Sequence, residues 1–193
     1  MKTIRKYVLY LFIILTSDSN IYCQCSKIGG VFYSIESYNA RKYDDSLCLD
    51  NPKNKIYAGS FNRLVLKSAD KNKKKYKYGE IFAYQTGNNI FIFQKQEKAL
   101  DDYGFFPIMD TTGLIIYSRK ESRYRGTTLR FYYSVEIGSK IKRLNLKNIK
   151  LDFDNDEFIK KISPYVSSVE NNNPDKRLTA INIIQSSFNK YFR

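Results

Sequence analysis

Residues 129–137 read Leu-Arg-Phe-Tyr-Tyr-Ser-Val-Glu-Ile, with Leu129, Phe131, Tyr133, Val135 and Ile137 alternating against Arg130, Tyr132, Ser134 and Glu136. Successive side chains of a strand point to opposite faces, so this stretch predicts a β-strand with one buried and one wet face, as in an antiparallel sheet. Immediately upstream, Phe105 to Asp110 and Leu114 to Arg119 flank Thr111, Thr112 and Gly113 and predict a hairpin. A clearer hairpin joins Glu80–Gln85 to Ile90–Gln94 through Thr86, Gly87, Asn88 and Asn89, because Gly and Asn tolerate the positive φ that tight hairpin turns require. Its arms are apolar on both faces, which predicts interior strands. Further back, Leu64 and Leu66 share one face of a strand over 61–67, and Val31, Phe32 and Tyr33 follow Gly29 and Gly30 into another.

Downstream of Arg143 the apolar period lengthens from two to about 3.6. Asn145 is placed to cap a short helix carrying Leu146, Ile149 and Phe153, and Asp154 to Asp156 to cap a second carrying Phe158, Ile159 and Ile162, with Pro164 expected to break or kink it. Asn173, Pro174 and Asp175 predict the start of a last helix running close to Tyr191. Leu178, Ile181, Ile184, Phe188 and Tyr191 form its apolar stripe, expected to dock on the rest of the domain. Strands first and helices last predict an α+β domain, an antiparallel β-meander sheet followed by short C-terminal helices.

The chain has 193 residues, 33 basic against 19 acidic, and neither histidine nor tryptophan. That length suffices for one hydrophobic core without a metal or disulfide scaffold. Without imidazole, serine or cysteine triads that use a histidine base are excluded, as are the common zinc sites. Lys2, Arg5 and Lys6 precede an apolar run from Tyr7 to Leu15, the make-up of a secretory signal and too short for a membrane span. Residues 1–23 are therefore expected to be a signal peptide, cut after Ser19 or Cys23. Residues 24–170 then form a β-rich α+β domain and 171–193 the amphipathic C-terminal helix packed on it. The processed chain is expected to have no transmembrane span and to work in the periplasm or outside the cell. In such an oxidising compartment Cys25 and Cys48 are positioned to close a disulfide; the alternative is a buried free thiol at Cys48.

Three segments carry a resemblance: Gly30 to Ser34 followed by Tyr38, Tyr78 to Tyr84, and the block from Phe131 to Phe158. In them the chain resembles a family of exported Bacteroidetes proteins to which no activity is attached. The resemblance implies an envelope or secreted location and supplies no substrate, cofactor or catalytic residue.

Two basic clusters are candidate anion-binding sites. Lys73, Lys74 and Lys75 lie in a lysine-rich run from 67 to 77, and Arg119, Arg123, Arg125 and Arg130 form a second cluster that includes Tyr124. Such patches hold anionic polymers by counterion release; the competing reading is a lysine-rich tip that keeps a sheet edge soluble. For an exported chain the expected polyanions are lipopolysaccharide, acidic glycans or extracellular DNA, not intracellular nucleic acid. Asp152, Asp154 and Asp156 alternate like the first ligands of a calcium loop. Glu157 then stands where glycine is needed and Ser163 where the closing glutamate belongs, so no metal is expected. No cofactor motif is found. The main expectation is a non-enzymatic binding or interaction module. A carboxylate-based glycoside hydrolase is the enzyme alternative, drawing on Glu80, Asp101, Asp102 and Asp110.

Overall fold

The computed structural model describes residues 25–59, 62–94, 104–123, 126–170 and 176–193. The expected signal peptide, Asp101, Asp102, Arg125 and the Asn173-Pro174-Asp175 helix start lie outside the described residues. The chain runs β1 (Ile28–Phe32), α1 (Ile35–Asn39), β2 (Asp45–Cys48), β3 (Lys55–Gly59), β4 (Arg63–Lys67), β5 (Lys73–Lys77), β6 (Ala83–Thr86), β7 (Asn89–Gln94), β8 (Gly104–Asp110), β9 (Ile115–Arg123), β10 (Gly126–Ser134), β11 (Lys142–Arg143), α2 (Leu146–Asp152), α3 (Asp156–Glu170) and α4 (Arg177–Phe192). It is an α+β fold built on antiparallel sheets with helices at the C-terminal end. Eight strands pair in the order β11-β10-β9-β8-β7-β6-β1-β2, so β6 to β10 form the expected meander, which the two-residue β11 extends. A separate three-stranded sheet, β3-β4-β5, is inserted between β2 and β6.

Alternation along the strands distributes the core over both faces of the large sheet. Val31, Tyr84, Phe91 and Phe105 meet the inner face of the small sheet, where Ile56, Leu64 and Leu66 are buried. Further along that same face, Leu114, Ile116, Phe131 and Tyr133 meet Phe158, Ile162 and Val166 of α3 and Ile181, Ile184 and Phe188 of α4. Phe32, Ala83, Ile92, Phe106, Tyr117 and Tyr132 line the opposite face. The sheet curls around this second face: Gln94 on β7 exchanges two hydrogen bonds with the backbone of Ile141, and Ile35 of α1 presses on Gly138 in the β10–β11 turn.

That curl corrects the expectation of one wet face for residues 129–137. The strand ends at Ser134, Tyr132 and Ser134 are as buried as Phe131 and Tyr133, and Val135 lies in the turn with 46% of its surface exposed. Polar groups on the concave face satisfy one another there. The Tyr117 and Ser134 hydroxyls bond at 2.9 Å, and the Tyr132 hydroxyl donates to Glu121 at 2.6 Å. Buried polar groups are tolerated when paired in this way.

Local chemistry explains most of the connections. The β6–β7 hairpin turns through Gly87 at φ +58°, the left-handed conformation open to glycine. Asn145 caps α2 by accepting from the Asn148 N–H at 2.8 Å, and Asn155 does the same for Phe158 at the start of α3. Four expectations are corrected. A short helix, α1, interrupts the strands, started by the Ser34–Ser37 capping box. Residues 78–80 form a 3-10 turn, so β6 starts only at Ala83. Helix α3 continues through Pro164 and is not broken there: burying Phe158, Ile162, Val166 and Val169 on one stripe outweighs a proline cost of about 3 kcal/mol. Leu178 is 63% exposed, because burial of the α4 stripe begins only at Ala180. Helix α4 is tied down by Gln185 and Asn189, which donate to the carbonyls of Leu114 and Thr112 at 2.7 and 2.8 Å.

Cys25 and Cys48 are joined by a disulfide that ties the entry of β1 to the end of its partner β2. Among the described residues no helix is long and apolar enough to cross a membrane.

Candidate functional site

The small sheet sorts its side chains by register. Ile56, Leu64, Leu66, Lys74 and Tyr76 share the inner face, because Ile56 opposes Leu66, Leu64 opposes Tyr76, and Leu66 opposes Lys74. The alternate positions therefore all point outward. At one end Lys55, Lys67 and Lys73 form a row across the three strands; Tyr57, Val65 and Lys75 form the middle row; Gly59, Arg63 and Lys77 form the third. Six cations stand on this face with no acid among them. Neighbours in a row are about 4.8 Å apart at the backbone and rows about 6.6 Å apart. Tyr57 is 41% exposed at one side of the middle row, while Val65 is covered.

Like charges placed directly opposite one another on a sheet are destabilising. Edge protection accounts for lysines on β3 and β5, the two outer strands, but not for Arg63 and Lys67 on central β4, which has no free edge. Those two turn a protected edge into a continuous basic surface.

Of the three lysines singled out in the sequence, Lys73 and Lys75 belong to this face and Lys74 does not. The Lys74 ammonium pairs with Asp45 of β2 at 2.7 Å, and the Tyr76 hydroxyl donates to the same carboxylate oxygen at 2.5 Å. Partial burial pushes the Asp45 pKa up, but the hydrogen bonds from Lys74 and Tyr76 and the lysine charge outweigh it and hold the carboxyl below its usual range. Partial burial, and behind it the bond to Asp45, push the Tyr76 phenol well up. Because the unfolded chain protonates Asp45 more readily than the folded one, its contribution to stability is full above the ordinary carboxylate pKa and is lost as pH falls through the lowered one. In denaturant titrations from pH 6 down to pH 2.5, the stability gap between wild type and Asp45→Asn is expected to shrink in acid. A gap independent of pH would show that this carboxylate is not the linked group.

The arginine cluster is divided. Arg130 pairs with Glu121 at 3.4 Å, Arg119 lies over the Phe106 ring at 5.2 Å, and both belong to the partly buried concave side. Arg125 and the side chain of Arg123 lie outside the described residues. The acids considered for hydrolysis serve turns: Glu80 accepts from the Lys77 N–H, and Asp110 from the N–H and hydroxyl of Thr112. Glu80 precedes β6 at the Gly104 end of the sheet, whereas Asp110 closes β8 six residues away, roughly 20 Å at strand rise. Glycosidase pairs stand about 5–9.5 Å apart, so these two do not form one. Asp152 binds the Tyr133 hydroxyl and Lys142 rather than its neighbours Asp154 and Asp156. Among the described residues, one further cluster has metal-ligand chemistry, Cys25, Cys48 and Asp50, and its sulfurs are in the disulfide.

The sequence reading grouped Lys73 and Lys75 with the run from 67 to 77 but missed Lys55 and Arg63 as their companions. The available signal was alternation: in both 63–67 and 73–77 every odd position but Val65 is basic. No family model, curated protein or solved structure matches the chain.

Proposed function

We propose that the protein is an exported, non-catalytic binding module of the cell envelope or its surroundings, and that the outer face of β3-β4-β5 engages an acidic polysaccharide. The observation that carries this reading is the six-cation face on which even the central strand contributes Arg63 and Lys67. Its charges are mostly lysines, compact and strongly hydrated point charges suited to scattered carboxylates or sulfates rather than to paired, planar phosphate recognition. Nucleic acid fits less well, since a single-strand platform needs successive aromatic rings and this face offers Tyr57 alone. The disulfide is in keeping with an oxidising compartment, periplasmic or extracellular.

A sulfated or uronate-rich glycan titrated against the protein at increasing salt is expected to bind with a log–log salt slope on the order of −4, as counterions are released from the occupied charges. Neutralising Lys67, Lys73 and Lys75 together to glutamine is expected to flatten that slope by about 2 to 3. Binding that ignores salt, or that survives the triple variant, rejects the proposal. Tighter capture of lipopolysaccharide or DNA through the same lysines would replace the glycan with that polymer.

A further inference from the structure

We propose that the cleft beneath α1 is a second, independent binding site, for a small ring-bearing carboxylate of which a hexuronate is the type. It opens on the concave face of the large sheet, the side away from the basic small sheet, and has a volume of about 600 Å³. Pockets of roughly 300–1,000 Å³ are the size that encloses small-molecule ligands.

The floor is set by register. Gly30 on β1 lies opposite Gln85 on β6, and Gln85 lies opposite Ile90 on β7, so all three occupy one row of the concave face. A Cβ at Gly30 would come within 2.5 Å of the Tyr43 ring and of the Asp45 carbonyl, so the bare backbone there is what lets Tyr43 lie against the strand. From that position the Tyr43 hydroxyl donates to Gln85 Oε1 at 2.9 Å, while Gln85 Nε2 donates to the Gly87 carbonyl at 2.9 Å. Both ends of the amide are thereby fixed, and the second hydrogen of Nε2 is left to a ligand.

The walls are aromatic and held against one another. Phe32 meets Tyr38 edge-on at 5.4 Å and Tyr43 at 4.8 Å, presenting apolar surface to one side of a ring. The lining includes Arg41, the only charged residue in it among the described residues, at φ +52°. A non-glycine residue pays roughly 1 kcal/mol for that conformation. It is kept there by hydrogen bonds from its own N–H to the Tyr38 carbonyl and from the Lys42 N–H to the Ser37 carbonyl, both at 3.0 Å. One guanidinium in a cleft with no carboxylate among its described lining residues matches one carboxylate through paired hydrogen bonds. Amides from Gln85 and Asn39 and the tyrosine hydroxyls supply the partners that ring hydroxyls need.

The test titrates glucuronate, with glucose as its neutral counterpart, into the whole protein and follows tyrosine resonances or heat. Glucuronate is expected to saturate and to bind at least tenfold more tightly than glucose. Arg41→Asn, which accepts positive φ and so should keep the thermal midpoint, is expected to abolish that preference. If Arg41→Asn loses its folded transition, Tyr43→Phe carries the test: freeing Gln85 should weaken glucuronate several-fold. Lys75→Gln, on the other face, is expected to leave glucuronate binding unchanged, so polymer binding and cleft binding can fail separately. Equal affinity for the two sugars, or a preference that survives Arg41→Asn in a folded protein, overturns the assignment.

Discussion

Phe158→Ala is expected to lower the unfolding free energy by about 3–5 kcal/mol, the range for deleting a fully buried aromatic side chain. Phe158 lies at the centre of the helical layer with no exposed surface. Its ring meets Phe192 at 5.0 Å, Phe153 at 5.5 Å, Tyr191 at 6.1 Å and Phe188 at 6.3 Å, so removal empties a cavity bordered by four other rings. Those rings belong to α4 and to the α2–α3 connection, which cannot all close in without disturbing the layer's contact with Phe131 and Tyr133 on β10. Because domains are stable by only about 5–15 kcal/mol, the loss is a large share of the whole. Urea unfolding followed by circular dichroism reads it as a lower midpoint at an unchanged slope. Leu151→Ala is the matched control, since Leu151 is 73% exposed and its truncation should cost under about 0.5 kcal/mol. Equal costs for the two variants would mean that the helices do not pack as described.

Replacing both Cys25 and Cys48 by serine is expected to cost about 3 kcal/mol. The bond closes a loop of 23 residues, and the chain-entropy estimate for a loop of that size is near that figure. In the folded state the bond adds little order of its own. Strands β1 and β2 are already paired from Ile28 with Cys48 to Val31 with Asp45, and Ser26 holds Asp50 with two further hydrogen bonds. Its effect therefore lies mainly in the unfolded chain, where nothing else restrains this segment. A reductant should bring the wild type down to the level of the double-serine variant and leave that variant unmoved. Wild-type protein indifferent to reductant would show that the bond contributes nothing, and with it would go the main structural support for an oxidising location.

Legibility from sequence followed the range of the interactions concerned. The turn at Gly87, the caps at Asn145 and Asn155 and the helical period after Arg143 depend on residues within four or five positions of one another, and each is where the sequence places it. Pro164 and Leu178 departed from the local rule because burial decided otherwise. A deep stripe carries α3 through its proline, and the core under α4 starts one turn later than the apolar pattern does. Lys74 is the instructive case at the site. Strand alternation already turns it to the face opposite Lys73 and Lys75, but only the approach of β2 from a different sheet gives it Asp45 as a partner.

Alternation and apolar period, both properties of short segments, were enough to determine the α+β class, the meander from β6 to β10 and the terminal helices. Tertiary structure alone decided that Lys55, Arg63, Lys67, Lys73, Lys75 and Lys77 share a face, and that Gly30, Tyr43 and Gln85 meet beneath α1. The reason is physical: a strand's own residues set which side chains point together along it, but which strand lies beside it, and in what register, is chosen by burial summed over distant parts of the chain.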